Sequence, residues 1–113
     1  MEKITQYENT IIQLLEEYAL LWNKNSNKNI ETHVIADTKR KHYQLMQLGW
    51  DGYNYIHNCI FHFDIKDGKI WLQENRTDIL IAQELVEKGI PKSDIVLGLQ
   101  PPDARPLTEY GVA

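Results

Sequence analysis

The sequence predicts an α+β domain: a long N-terminal helix, a four-stranded antiparallel meander sheet, a second helix and an irregular Pro-rich C-terminal tail. Three observations carry this. Apolar residues first recur at steps of three and four. From Ile30 to Asn75 they alternate with a period of two instead. Three of the four prolines fall after Gln100. A chain of 113 residues fits one domain, residues 1–113, and is long enough to bury one core.

In the first helix, Ile4, Tyr7, Ile11, Leu14, Leu15, Tyr18, Leu21 and Trp22 form one apolar stripe. The run NKNSNKN, residues 23–29, holds no apolar residue and is expected to end the helix as a loop. IETHVIAD (30–37) and KHYQLMQLGW (41–50) alternate as strands around a TKR connection, and GWDGYN (49–54) reads as a second turn. Residues 55–66 then make a long strand, and KIWLQEN (69–75) returns from it. Asp67-Gly68 joins the two as a type I′ turn, which needs positive φ at both central positions. Thr77 or Asp78 is expected to cap the second helix, ILIAQELVEKG (79–89), with Gly89 as its left-handed stop.

The Asp67-Gly68 turn sets a register. Lys66 faces Lys69, Ile65 faces Ile70, Asp64 faces Trp71, Phe63 faces Leu72 and His62 faces Gln73. One sheet face then carries His57, Cys59, Phe61, Phe63, Ile65, Ile70 and Leu72 and is the expected core face. The other carries Ile60, His62, Asp64, Trp71, Gln73 and Asn75. The helices can cover only one side, so this second face, with Arg105 from the tail, is the candidate interaction surface. Trp71 is its expected anchor in an oligomer or partner complex. The rival arrangement has the tail folding back over Trp71 within one chain.

The stretch YIHNCIFHF (55–63) raises the question of a metal or thiol site. Alternation puts His57 and Cys59 opposite His62, and the spacing of His33 and His42 brings neither to them, so no metal, cofactor or catalytic residue is expected. Cys59 between apolar neighbours reads as a buried, inert thiol, although a Cys59–His57 nucleophile pair shares its face. His62 and Asp64 could pair as base and orienter, and Arg105 could clamp a carboxylate; the simpler reading of each is polar surface. No glycine-rich phosphate loop, HExxH or GxSxG motif occurs.

The net charge of −4 disfavours broad binding to a phosphate backbone. Lys39, Arg40 and Lys41 are the only basic run, which leaves direct DNA contact open. A single cysteine excludes an intrachain disulfide and suits a reducing compartment. With no apolar run of membrane-spanning length, the expectation is a soluble cytoplasmic protein without a membrane segment.

Four stretches carry a family resemblance: LGWDG (48–52), HFDIKDGKIWLQ (62–73) preceded by Cys59, IAQELVEKGIPKSDIVLGLQPP (81–102) and RPLTEYGVA (105–113). Together they resemble the XisI family, the fdxN element excision controlling factors of cyanobacteria, over nearly the whole chain. The resemblance implies a non-enzymatic accessory factor in a site-specific DNA rearrangement during heterocyst development. It also implies an XisH-type, nuclease-like protein partner, with a homo-oligomer as a further form. It supplies no catalytic residue. Asp64, Asp67, Gly68, Trp71 and GIPKSDIVLG (89–98) are family-like positions without an assigned role. The alternative is a small enzyme or ligand-binding protein using His62, Asp64 or Arg105 in a pocket.

Overall fold

The apolar stripe of the N-terminus folds as α1, Glu2–Asn25, in the computed structural model, which describes residues 2–25 and 29–112. Tyr7, Ile11, Leu14 and Leu15 are its buried positions, whereas Leu21 at the end of the expected stripe is half exposed. The helix runs through Asn23 to Asn25, further than expected. Of the remaining loop, residues 26–28 lie outside the described residues. Asn23 is used from the helix side: its amide donates to the Thr32 carbonyl and accepts from the Thr32 N–H, both at 2.8 Å. One side chain thus satisfies both backbone groups that Thr32 would otherwise leave unpaired at the sheet edge.

The strands are β1 (Ile30–Asp37), β2 (His42–Asp51), β3 (Asn54–Lys66), β4 (Lys69–Asn75) and β5 (Ile95–Leu97), in that spatial order. The first four are an antiparallel meander. The expectation of four antiparallel strands is corrected by β5, which lies parallel to β4 with Ile70 opposite Ile95 and Leu72 opposite Leu97. A parallel neighbour needs a crossover, and α2 (Ile81–Glu87) supplies it. The second helix is shorter than expected and is preceded by Leu80, with no side-chain cap. Thr77 acts earlier: its hydroxyl accepts from the Ile79 N–H and donates to Asn75, bending the chain before the helix starts.

Asp67 and Gly68 have φ of 55° and 77°, the positive pair that a type I′ turn requires. The register follows as expected from Lys66–Lys69 to Phe63–Leu72, then shifts. His62 pairs with Glu74 rather than Gln73, and Phe61 with Asn75, so Gln73 is a bulge residue and Asn75 moves to the helix side. A second bulge lies between β2 and β3. Leu45 pairs with Phe61 and Met46 with Cys59, leaving Ile60 as the extra residue.

This second bulge corrects the face assignment. Ile60 was expected opposite the helices, but it is buried in the core beside Phe61. Leu45 is a core residue, so Met46 faces out, and its partner Cys59 faces out with it. His57, opposite Leu48, and Tyr55, opposite Trp50, follow on the same outer face. The core joins α1, the inner sheet face and Ile81, Ala82, Leu85 and Ile90 of α2 and its C-terminal turn. Tyr18, Trp22 and Phe61 form an aromatic cluster within it, with ring centres 5.4 to 6.1 Å apart. Among the described residues no helix is long and apolar enough to cross a membrane.

Candidate functional site

With both helices on one side, the outer sheet face is the surface left for function. It has three zones. At the far end of the β2–β3 hairpin, Trp50 and Tyr55 face each other across the strands, with ring centres 5.0 Å apart. They are 53% and 54% exposed. Further along the face Ile35 on β1, opposite Gln44, is 52% exposed. His57 stacks on Tyr55 at 6.4 Å, and Tyr53 at the turn is fully exposed. Met46, Leu48 and Cys59 fill the space between as half-buried side chains. The Cys59 thiol donates to the Phe61 carbonyl at 3.3 Å, and burial pushes its pKa up.

At the opposite end, Trp71 and Val96 are buried without belonging to the helix-side core. The tail covers them, which corrects the expectation that Trp71 is an exposed anchor. Trp71 is 7% exposed. The Lys66 ammonium lies 4.0 Å from its ring centre and the Arg105 guanidinium 5.1 Å. Arg105 also donates to the carbonyls of Gln100 (3.1 Å) and Gly98 (3.3 Å), which fixes the loop that carries it. Gly98 permits the close approach, since a Cβ there would lie 3.1 Å from the Trp71 ring and 2.5 Å from Gln73 Oε1. Val96 pairs with Gly111 in an isolated parallel bridge, and Lys69 donates to the Val112 carbonyl. Among the described residues the Trp71 indole N–H has no hydrogen-bond partner.

Between these zones lies a polar cluster. Asp64 sits opposite His42 across β2–β3, and His62 is two residues from Asp64 on the same face. His42 Nδ1 and His62 Nε2 each lie 2.7 Å from Asp64 Oδ1. Gln73 donates to Oδ2 at 3.3 Å, and the Gln44 amide nitrogen is 3.4 Å from His62 Nδ1. Burial alone would raise the Asp64 carboxyl, but the hydrogen bonds from His42 and His62 outweigh it and hold the group below the usual carboxylate range. A shallow recess of about 300 Å³ opens over the cluster, lined by Ile35, Asp37, His42, Gln44 and His62.

The six residues of the expected interaction surface are therefore divided. Ile60 is in the core, Trp71 and Arg105 hold each other under the tail, and His62, Asp64 and Gln73 form the polar cluster. Arg105 does not line the recess beside His62. The expectation that His57 and His62 point opposite ways is corrected by the Ile60 bulge: both face outward, at separate places along β3. Sequence reasoning missed His42, whose place beside Asp64 depends on the β2–β3 register. It also missed the exposed Trp50–Tyr55 pair, which the β2–β3 register sets opposite each other. Among the described residues, His42, His62 and Asp64 are the group whose ligand atoms are close enough to hold a metal ion, all within 4.8 Å of one another.

No curated protein matches the chain in sequence. Among solved structures it is similar to a XisI-like protein from Anabaena variabilis, at 51% identity over 97% of this chain and 99% of that one, with a TM-score of 0.92. It is also similar to the fdxN element excision controlling factor XisI from Anabaena variabilis, at 36% identity over 98% and 99% of the two chains, with a TM-score of 0.81. The sequence profile described as "XisI protein" matches residues 1–112, and on that match the chain belongs to the XisI family.

Proposed function

We propose that the protein is a non-enzymatic controlling factor in the excision of a DNA element, a site-specific DNA rearrangement, and that it acts in the cytoplasm by binding protein. The solved relative named as an fdxN element excision controlling factor supports the process. The observation that carries the binding reading is the Trp50–Tyr55 pair, more than half exposed on a sheet face that neither helix covers. Aromatic side chains flanked by polar groups are enriched where partners dock, and a few such residues dominate the binding energy.

The partner in this reading is an XisH-type, nuclease-like protein. A nuclease presents a basic surface to its nucleic acid, and this chain has a net charge of −4, so complementary fields favour its approach. Co-expression and co-purification test this. Wild type should hold the XisH-type protein in a stable complex, and Trp50→Ala with Tyr55→Ala should release it while the fold is kept. A complex that survives the double substitution removes this face from the reading, and no wild-type complex removes the partner. The catalytic alternative loses Arg105, which is committed to Trp71.

A further inference from the structure

The geometry points to a divalent transition-metal site formed by His42, His62 and Asp64, with its open coordination positions facing out of the sheet. Two imidazole nitrogens and one carboxylate oxygen come from rigid neighbouring strands and already converge, each nitrogen 2.7 Å from Asp64 Oδ1. A tetrahedral ion with bonds of ~2.0–2.1 Å holds its ligands roughly 3.3 Å apart. Admitting one therefore requires the side chains to spread by about half an ångström on that spacing. His42 has the freedom to do so, because its side chain is 52% exposed.

The groups behind Asp64 and His62 fit the same role. Metal ligands are oriented by hydrogen bonds to their far atoms. Here Gln73 holds the second oxygen of Asp64, and Gln44 stands at the second nitrogen of His62. A half-turn of the Gln44 amide exchanges its donor for its acceptor, so it serves His62 with or without a proton on Nδ1. On binding, each neutral imidazole moves its proton to the other ring nitrogen, and the ion takes the lone pairs at His42 Nδ1 and His62 Nε2. Two imidazoles with one carboxylate select zinc, cobalt or ferrous iron over magnesium and calcium, which prefer oxygen ligands throughout. The remaining positions open towards the recess beside Ile35 and Gln44, where water or a group from another molecule completes the shell.

The test is calorimetric titration of the full chain, first stripped with a chelator, with Zn²⁺ and with Co²⁺. Saturable binding of one ion per chain is expected, with a d–d absorption band for cobalt. His42→Ala, His62→Ala and Asp64→Asn should each weaken binding at least tenfold, and Gln44→Ala by about 10- to 100-fold. His33→Ala and His57→Ala should leave it unchanged. Absence of saturable binding in wild type overturns the site. So does equal affinity in His42→Ala, a substitution at a half-exposed side chain that leaves the core intact and remains decisive if the others do not fold.

Discussion

The Tyr18 hydroxyl lies 2.6 and 2.8 Å from the two carboxylate oxygens of Glu84 and shares its proton between them, tying α1 to α2. The same chemistry recurs along α1. Tyr7 donates to Asp94, and Tyr43 donates to Glu8. Each pair joins a residue of the long helix to a residue distant in sequence, so three polar bonds tie α1 to α2, to the turn before β5 and to β2.

Tyr18→Phe removes one of these bonds and leaves a half-buried carboxylate without its donor. Hydrogen bonds to charged groups contribute ~1.5–3 kcal/mol, so a loss in that range is expected in urea unfolding. An unchanged midpoint would mean that solvent replaces Tyr18 at Glu84 at no cost.

The three tyrosines also predict alkaline sensitivity. Burial, followed by the Asp94 hydrogen bond and charge, pushes Tyr7 up to about 12 from 10.0, and burial with Glu84 and Glu8 raises Tyr18 and Tyr43 as well. Above pH 10 the unfolded chain releases phenolic protons that the folded chain keeps. The stabilisation is therefore fully present below pH 10 and is lost as pH rises towards the folded values. Replacing all three by Phe should flatten the fall of the urea midpoint above pH 10. An equally steep fall in the triple variant assigns it to the lysines.

Gly68→Val tests the hairpin on which the β3–β4 register depends. At φ of 77° a β-branched residue is strained, and a loss of about 1–2 kcal/mol is expected. A wild-type melting temperature would show that the turn can take another form.

The Asp67-Gly68 turn was legible because its conformation is demanded by residue type, and the pairing up to Phe63–Leu72 follows from counting. The bulges were not legible. Ile60 and Phe61 are both apolar, and nothing in residue type says that one must be inserted beside the other in the core. One unread insertion changed the face of Cys59 and His57. His42 was missed for a related reason, since its meeting with Asp64 is set across strands. In sequence Ile95–Leu97 reads as irregular tail, because three residues are too few to show alternation. Its pairing comes from lying beside β4 after the crossover.

Cys59 offers a reading of the bulge in solution. A core thiol reacts only on unfolding, whereas a half-buried thiol on the outer face, with its pKa pushed up by burial, should react in the native state slowly at neutral pH and faster as pH rises. Alkylation rates of the native protein from pH 7 to 9 measure this. Labelling that occurs only in denaturant would return Cys59 to the core.

Trp71 decides what the tail is for. Its ring is in contact with the Lys66 and Arg105 cations, with Gly98 close against it, so truncation empties a packed site rather than an exposed one. Trp71→Ala should cost about 3–5 kcal/mol, as for other buried Trp truncations. Trp71→Phe should behave differently. It gives up part of the ring contact but also removes the indole N–H that has no partner among the described residues, a group whose burial costs ~1–3 kcal/mol. The two effects oppose each other, and a net change within about 1 kcal/mol is expected from their similar size. Arg105→Ala should fall between them, losing one stacked cation and two hydrogen bonds to the loop. Urea unfolding of the three variants, with partner binding measured beside it, separates the roles. If Trp71 is a structural pin for the tail, stability drops in the order Phe, Arg105→Ala, Trp71→Ala, and association is lost only where the fold is lost. A Trp71→Ala protein as stable as wild type that no longer binds would make Trp71 a contact residue, and the tail over it a cover that opens.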